Sequence, residues 1–158
     1  MSLNGPGLTY LTFKSNIFGE NEKKIISLRR YCSQTMEFAI EAAKNGNLHI
    51  VPIDFRTLEV CFEAICRDGT ALTWVPEELR TQEMCFKAVQ LNGTSLYWVP
   101  KQFLTQKMCL TAVTKSGYAL EWVPIELRTL EMCLAAMKQN PNAIRWVPTE
   151  LHTQMSLE

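Results

Sequence analysis

The stretch Thr81-Gln-Glu-Met-Cys-Phe-Lys-Ala-Val-Gln-Leu-Asn-Gly-Thr-Ser-Leu-Tyr-Trp-Val-Pro-Lys-Gln-Phe-Leu104 decides the fold, because it recurs. The dipeptide Val-Pro stands at 51–52, 75–76, 99–100, 123–124 and 147–148, each step 24 residues. Trp74, Trp98, Trp122 and Trp146 keep that spacing, with Ile50 in the first slot. Cys61, Cys85, Cys109 and Cys133 keep it too, as do Thr57, Thr81, Thr105, Thr129 and Thr153. A copy two residues shorter opens at Thr35. The chain therefore divides into five units, 35–56, 57–80, 81–104, 105–128 and 129–152. A fixed period of this size is the signature of stacked repeats.

Within one unit the chemistry is that of a helix followed by a shorter helical piece. Thr81 is a good N-cap, and Glu83 lies where a carboxylate suits the helix dipole. Gln82 to about Asn92 forms the helix, and Gly93 reads as the left-handed residue that ends it. At about 100° per residue, Met84, Cys85, Phe86, Ala88 and Val89 spread over an arc of about 200°, wider than the stripe of a surface helix. Such a helix needs neighbours on three sides, which a stack of units supplies. Pro100 cannot continue a helix from Val99 but can open a new turn. The spacing predicts a short helix or 3₁₀ turn up to Val99 and one further turn to Leu104. The expected architecture is an all-α solenoid of about five units, each a long helix plus a short helical segment broken at Val-Pro. Its helices should start near 36, 58, 82, 106 and 130, with no strand. At helix spacings of about 8–10 Å, five units make a rod on the order of 50 Å long.

Residues 1–34 are less regular and read as an N-terminal arm with a capping helix over Glu20–Cys32. Residues 153–158 read as the start of a further repeat or a vector-derived tail, and both ends suggest a fragment of a longer protein. The apolar face of the last unit then points to self-association.

Composition narrows the function classes. Apolar residues make up 47% and charged residues 20%, as in a packed globular chain. Sixteen basic residues balance sixteen acidic ones, which excludes a strong nonspecific pull toward nucleic acid or anionic membrane. No apolar run is long enough for a membrane span, and the first residues lack the pattern of a signal peptide. The six cysteines read as thiols in a reducing, cytoplasmic setting.

The unit Leu-x-Trp-Val-Pro-x-x-Leu-Arg-Thr-x-Glu-Met-Cys-x-x-Ala-Val-x-x-x-Gly resembles an uncharacterised helical-repeat family. That family is a domain of unknown function found in arrays in bacterial proteins, some of them effector-like and delivered into host cells. The resemblance covers about 35–154 and departs from the pattern at Trp-Val-Pro, where many copies have an aromatic, a small residue and Ser. It implies an α-solenoid and a scaffold role, and brings no catalytic residue.

Candidate sites follow from the columns. The cysteines fall one per unit on the apolar arc, a helix spacing apart and out of disulfide reach, without any Cys-x-x-Cys pair. They read as small buried hydrophobes, and zinc is disfavoured. Only His49 and His152 could serve a thiol as base, and they sit four units apart. No phosphate loop, zinc helix or nucleophile elbow appears, so no catalytic residue, metal site or cofactor is expected. The Trp column reads first as core wedged between units and second as the floor of a peptide groove. Arg56, Arg80 and Arg128 stand three residues ahead of Glu59, Glu83 and Glu131. They read as surface ion pairs worth at most about 1 kcal/mol. Where Leu104 replaces the arginine, Lys107 replaces the acid. The interleaved glutamates argue against a nucleic-acid surface.

Two columns change in charge and size from unit to unit. One holds His49, Thr73, Tyr97, Glu121 and Arg145; the other holds Ile53, Glu77, Lys101, Ile125 and Thr149. In a repeat protein such columns read partners. His49, Ile53, Tyr97, Lys101, Glu121, Ile125 and Arg145 are the expected protein-binding residues. The expected function is a non-catalytic scaffold for a protein partner, within a larger intracellular or effector protein. The alternative is a regulatory or substrate-positioning segment of an enzyme whose catalytic domain lies outside this chain.

Overall fold

The structure, a computed structural model, describes residues 35–155 and is helical throughout, with no strand among the described residues. Its α-helices are α1 (35–44), α2 (Leu58–Arg67), α3 (Gln82–Leu91), α4 (Gln106–Lys115), α5 (Leu130–Gln139) and α6 (Thr149–Met155). The expected starts at 58, 82, 106 and 130 are met, and α1 begins one residue before 36. The arm and capping helix expected over 1–34 lie outside the described residues.

Helices α2 to α5 start as the threonine column requires. The Oγ1 atoms of Thr57, Thr81, Thr105 and Thr129 accept from the N–H groups of Val60, Met84, Met108 and Met132 at 3.2–3.3 Å. Each satisfies a donor that the first turn leaves without a helical partner. The helices end at Asp68, Asn92, Ser116 and Asn140, whose φ values of −141° to −149° swing the chain into extended geometry.

The reading of Gly93 as a left-handed stop is corrected here. Gly46 alone among the described residues has a positive φ, 76°. Gly69, Gly93 and Gly117 instead open six-residue 3₁₀ helices, Gly69–Trp74, Gly93–Trp98 and Gly117–Trp122. Their requirement is space. A Cβ on any of them would stand less than 3.0 Å from the carbonyl oxygen of Ala88, Ala112 or Ala136 in the next unit's helix. The N-cap of each six-residue 3₁₀ helix is the residue before the glycine, or before Pro141 in the last unit. The side chains of Asp68, Asn92 and Asn140 accept from the N–H of Thr70, Thr94 and Asn142 at 2.9, 3.0 and 3.1 Å. This is the turn that Asp and Asn form locally. Val99 is then extended before Pro100, with φ −78° and ψ 125°, and one short turn, Lys101–Phe103, leads to the next threonine.

The core repeats with the units. Helix α3 buries Met84, Cys85, Ala88 and Val89 and packs between the 3₁₀ helix of the preceding unit and its own. Facing them are Leu48, Leu72, Leu96 and Leu120, with Val51, Val75, Val99 and Val123 three residues later. A 3₁₀ helix has three residues per turn, so Leu96 and Val99 share its inner side. Trp98 therefore turns outward. The core reading of the tryptophans is corrected in part: Trp74 is 49% and Trp98 39% exposed, while Trp122 and Trp146 are half-buried and pack against the core. Ser95 is buried among these apolar groups, and its hydroxyl donates to the Gly69 carbonyl one unit back at 2.9 Å.

The last unit differs. Pro141 opens its 3₁₀ helix, Pro141–Trp146, in the glycine position. Ile144, the counterpart of the buried leucines, is exposed. Thr153 lies inside α6 and not at a new N-cap.

Candidate functional site

The arginine column holds consecutive units together. Arg80 donates from Nε to the Val75 carbonyl of its own unit at 3.0 Å and from Nη1 to the Trp98 carbonyl of the next at 2.7 Å. Arg56 does the same with Val51 at 2.9 Å and Trp74 at 2.6 Å, and its Nη2 reaches the His49 carbonyl at 3.4 Å. Arg128 bonds Val123 at 2.9 Å and the Trp146 carbonyl, with Nη2 at 3.3 Å from the Glu121 carbonyl. The expected ion pairs with Glu59, Glu83 and Glu131 are corrected: the guanidinium forks are committed to backbone oxygens, and the three carboxylates are exposed. A planar fork with several donors can span two or three carbonyls at once. Burial is the largest influence on Arg128 and draws its pKa below the ordinary arginine value.

At the junction between the third and fourth units the column holds Leu104. Its half-buried side chain packs against the core, but it offers no donor. Among the described residues none donates to the Val99 or Trp122 carbonyl, the counterparts of the oxygens that Arg80 bonds. The junction is also less covered: Val99 is 7% exposed, against 1% for Val51, Val75 and Val123. An open groove of about 400 Å³ lies here, lined by Leu104, Val99 and Trp122 together with Tyr97, Lys101, Glu121 and Ile125. The change from arginine was visible in the sequence as an exception to the column. Its consequence, a gap with two free carbonyls, was not.

Four of the seven expected binding residues thus meet in one groove, drawn from both variable columns. Ile53 and Ile125 are 66% and 67% exposed, the largest exposures among the large hydrophobic side chains of the described residues. His49, Tyr97, Glu121 and Arg145 are exposed as well. The first column leans on the Trp column: His49 lies 5.9 Å from Trp74, and Tyr97 lies 4.7 Å from Trp98 and 5.7 Å from Trp122, centroid to centroid. The Arg145 guanidinium sits 5.5 Å from the Trp146 ring centroid. His49, Ile53 and Arg145 do not line the groove at Leu104. Tyr118 was missed. It is exposed and stacks edgewise on Trp146 at 5.9 Å, in a column whose other members are Thr70, Thr94 and Asn142.

Cys61, Cys85, Cys109 and Cys133 are free and fully buried, one per helix, while Cys66 is exposed. Burial pushes the first three thiols up to about 11 and raises Cys133 in the same direction. They remain protonated at neutral pH and fill space, as their place on the apolar arc predicts. No helix among the described residues is long and apolar enough to cross a membrane.

Comparison with known proteins places these units in a family. Residues 57–104 and 106–152 each match DUF4116, a domain of unknown function, in tandem. The two copies take in more than half of the chain, which belongs to this family. Each copy spans two of the 24-residue units, divided near the Leu104 junction. No curated protein and no solved structure matches the chain.

Proposed function

We propose that this DUF4116 chain is a non-catalytic scaffold that binds an extended segment of a partner protein along its tryptophan-bearing face. One observation carries the reading. Trp74, Trp98, Trp122 and Trp146 recur in four of the five units, the first two exposed and the other two half-buried, interleaved with the exposed Tyr97, Tyr118, Ile53 and Ile125. Exposed aromatic and aliphatic groups in a row are costly to leave in water and mark interaction surfaces. Tyr, Trp and Arg are also the residue types that most often dominate binding energy. Variable side chains on a repeating frame supply the specificity that such a surface needs. Four free buried thiols suit a reducing compartment, and the resemblance to arrays in bacterial proteins, effectors among them, suits deployment inside a cell.

The experiment is capture of partners by the immobilised chain, with Tyr97→Ala combined with Arg145→Ala as the control. Both residues are exposed, so melting should be unchanged while partner recovery falls at least about tenfold, the loss of one hot-spot contact. Full recovery with the double variant overturns the reading.

A further inference from the structure

We infer that the groove at Leu104 is a receptor for an arginine side chain supplied by the partner. The inference rests on the scaffold reading above and names the chemistry of what that scaffold takes at one position. At three junctions the fold shows what fits between the Val and Trp carbonyls: the guanidinium of Arg56, Arg80 or Arg128. At the fourth junction both acceptors remain and the donor is gone. Leu104 replaces the inner part of the arginine stem and leaves the place of the head group open to the groove.

The chemistry selects arginine over other occupants. Two or three carbonyl oxygens in fixed positions present a negative edge without a full charge, which a planar fork of N–H donors can span. An ammonium is a compact point donor and cannot bridge them in the same way. Glu121 lines the groove and its charge attracts a cation, while Lys101 and Arg128 on the same groove oppose it, so the selection rests on the fork of donors and not on net charge. The incoming stem has apolar company in Tyr97 and Ile125, both exposed and both awaiting cover. An arginine side chain covers such surface with its methylenes while its head is bonded.

The test uses the full chain labelled with ¹⁵N at tryptophan and the capped pentapeptides Ala-Ala-Arg-Ala-Ala and Ala-Ala-Lys-Ala-Ala. Up to about 10 mM peptide, the arginine form should shift the Trp122 indole resonance and bind at least about fivefold more tightly than the lysine form. Leu104→Arg fills the site from within, so it should abolish the response and raise the melting temperature. Arg80→Leu makes the reciprocal change one junction earlier and should give Trp98 a response that it lacks in the parent. If Leu104→Arg does not fold, the Trp98 response in Arg80→Leu decides: its appearance supports the inference and its absence overturns it. An unmoved Trp122, equal affinity for both peptides, or a response that survives in folded Leu104→Arg also overturns it. These failures leave the scaffold reading untouched, because that reading is decided by partner capture with the Tyr97 and Arg145 variants.

Discussion

Arg80 donates from Nη1 to the Trp98 carbonyl at 2.7 Å, across the junction between the second and third units. The same guanidinium holds the Val75 carbonyl of its own unit, so a single side chain fixes the distance and the twist between neighbours. Hydrogen bonds from charged donors are worth about 1.5–3 kcal/mol, less where water competes. Arg80→Leu is therefore expected to cost about 1–3 kcal/mol in urea unfolding. Arg80→Lys should recover little of it, since one ammonium cannot span both oxygens. An Arg80→Lys variant as stable as the parent would show that charge alone, and not the fork, makes the link.

The outward tryptophans lead to a contrast within a single unit. Trp74 is half exposed, while Leu72 two residues earlier is fully buried. Trp74→Phe should change stability by less than about 1 kcal/mol, and Leu72→Ala should cost about 2–5 kcal/mol. Emission from the parent should lie toward that of indole in water and be quenched by acrylamide. Emission typical of a buried indole, or a large loss of stability in Trp74→Phe, would return the tryptophans to the core.

The features legible in the sequence were those set by adjacent residues. The threonine caps, the helix starts and the break at Val99-Pro100 each depend on a few neighbours in the chain, and the repetition marked them in unit after unit. The features that stayed hidden depend on partners distant in the chain. Arg80 stands three residues before Glu83, and proximity suggested a pair, but its acceptors are backbone oxygens 5 residues back and 18 ahead. Backbone carbonyls leave no trace in a sequence. Gly93 follows a helix and resembles a helix stop, while its reason lies in Ala112 of the next unit. The Asp or Asn before the glycine was the available clue, since its side chain caps the 3₁₀ helix that the glycine opens. Trp74 and Trp98 were misplaced because a regular spacing does not distinguish the inner side of a 3₁₀ helix from the outer. That the two variable columns lie outside the core was legible because they vary against a fixed frame, and variation in size and charge is tolerated only there.

The buried thiols make stability depend on pH in one direction. Cys61, Cys85 and Cys109 have folded pKa values raised by burial from 9.0 to about 11. Between these values the unfolded chain has released protons that the folded chain keeps. The stability they contribute is fully present below pH 9 and declines as pH rises toward 11. The melting temperature should therefore fall across that window. Lysine and tyrosine titrate nearby, so the comparison is with Cys109→Ala, which should melt lower at neutral pH and lose less over the same window. Parallel curves for parent and variant would show that this thiol does not contribute to the decline.

The glycines separate two reasons for the same residue. At Gly93 the backbone is ordinary and the space is missing, because a Cβ would press on the Ala112 carbonyl of the next helix. That oxygen belongs to a helical backbone and cannot swing aside. Gly93→Ala must push two units apart, and overpacking of this kind costs about 1–3 kcal/mol, at the upper end here. At Gly46 the space is free and the backbone is the obstacle, with φ at 76° and nothing within 4 Å of an added Cβ. Gly46→Ala should cost about 1–2 kcal/mol through left-handed strain alone, and Gly46→Asn less, since Asn tolerates that region. The two sites then respond differently to the same series. Asparagine should be milder than alanine at 46 and worse than alanine at 93, because the larger side chain meets the same wall. Denaturant unfolding of the four variants checks this, and asparagine milder than alanine at both sites would mean that Gly93 is there for its backbone after all.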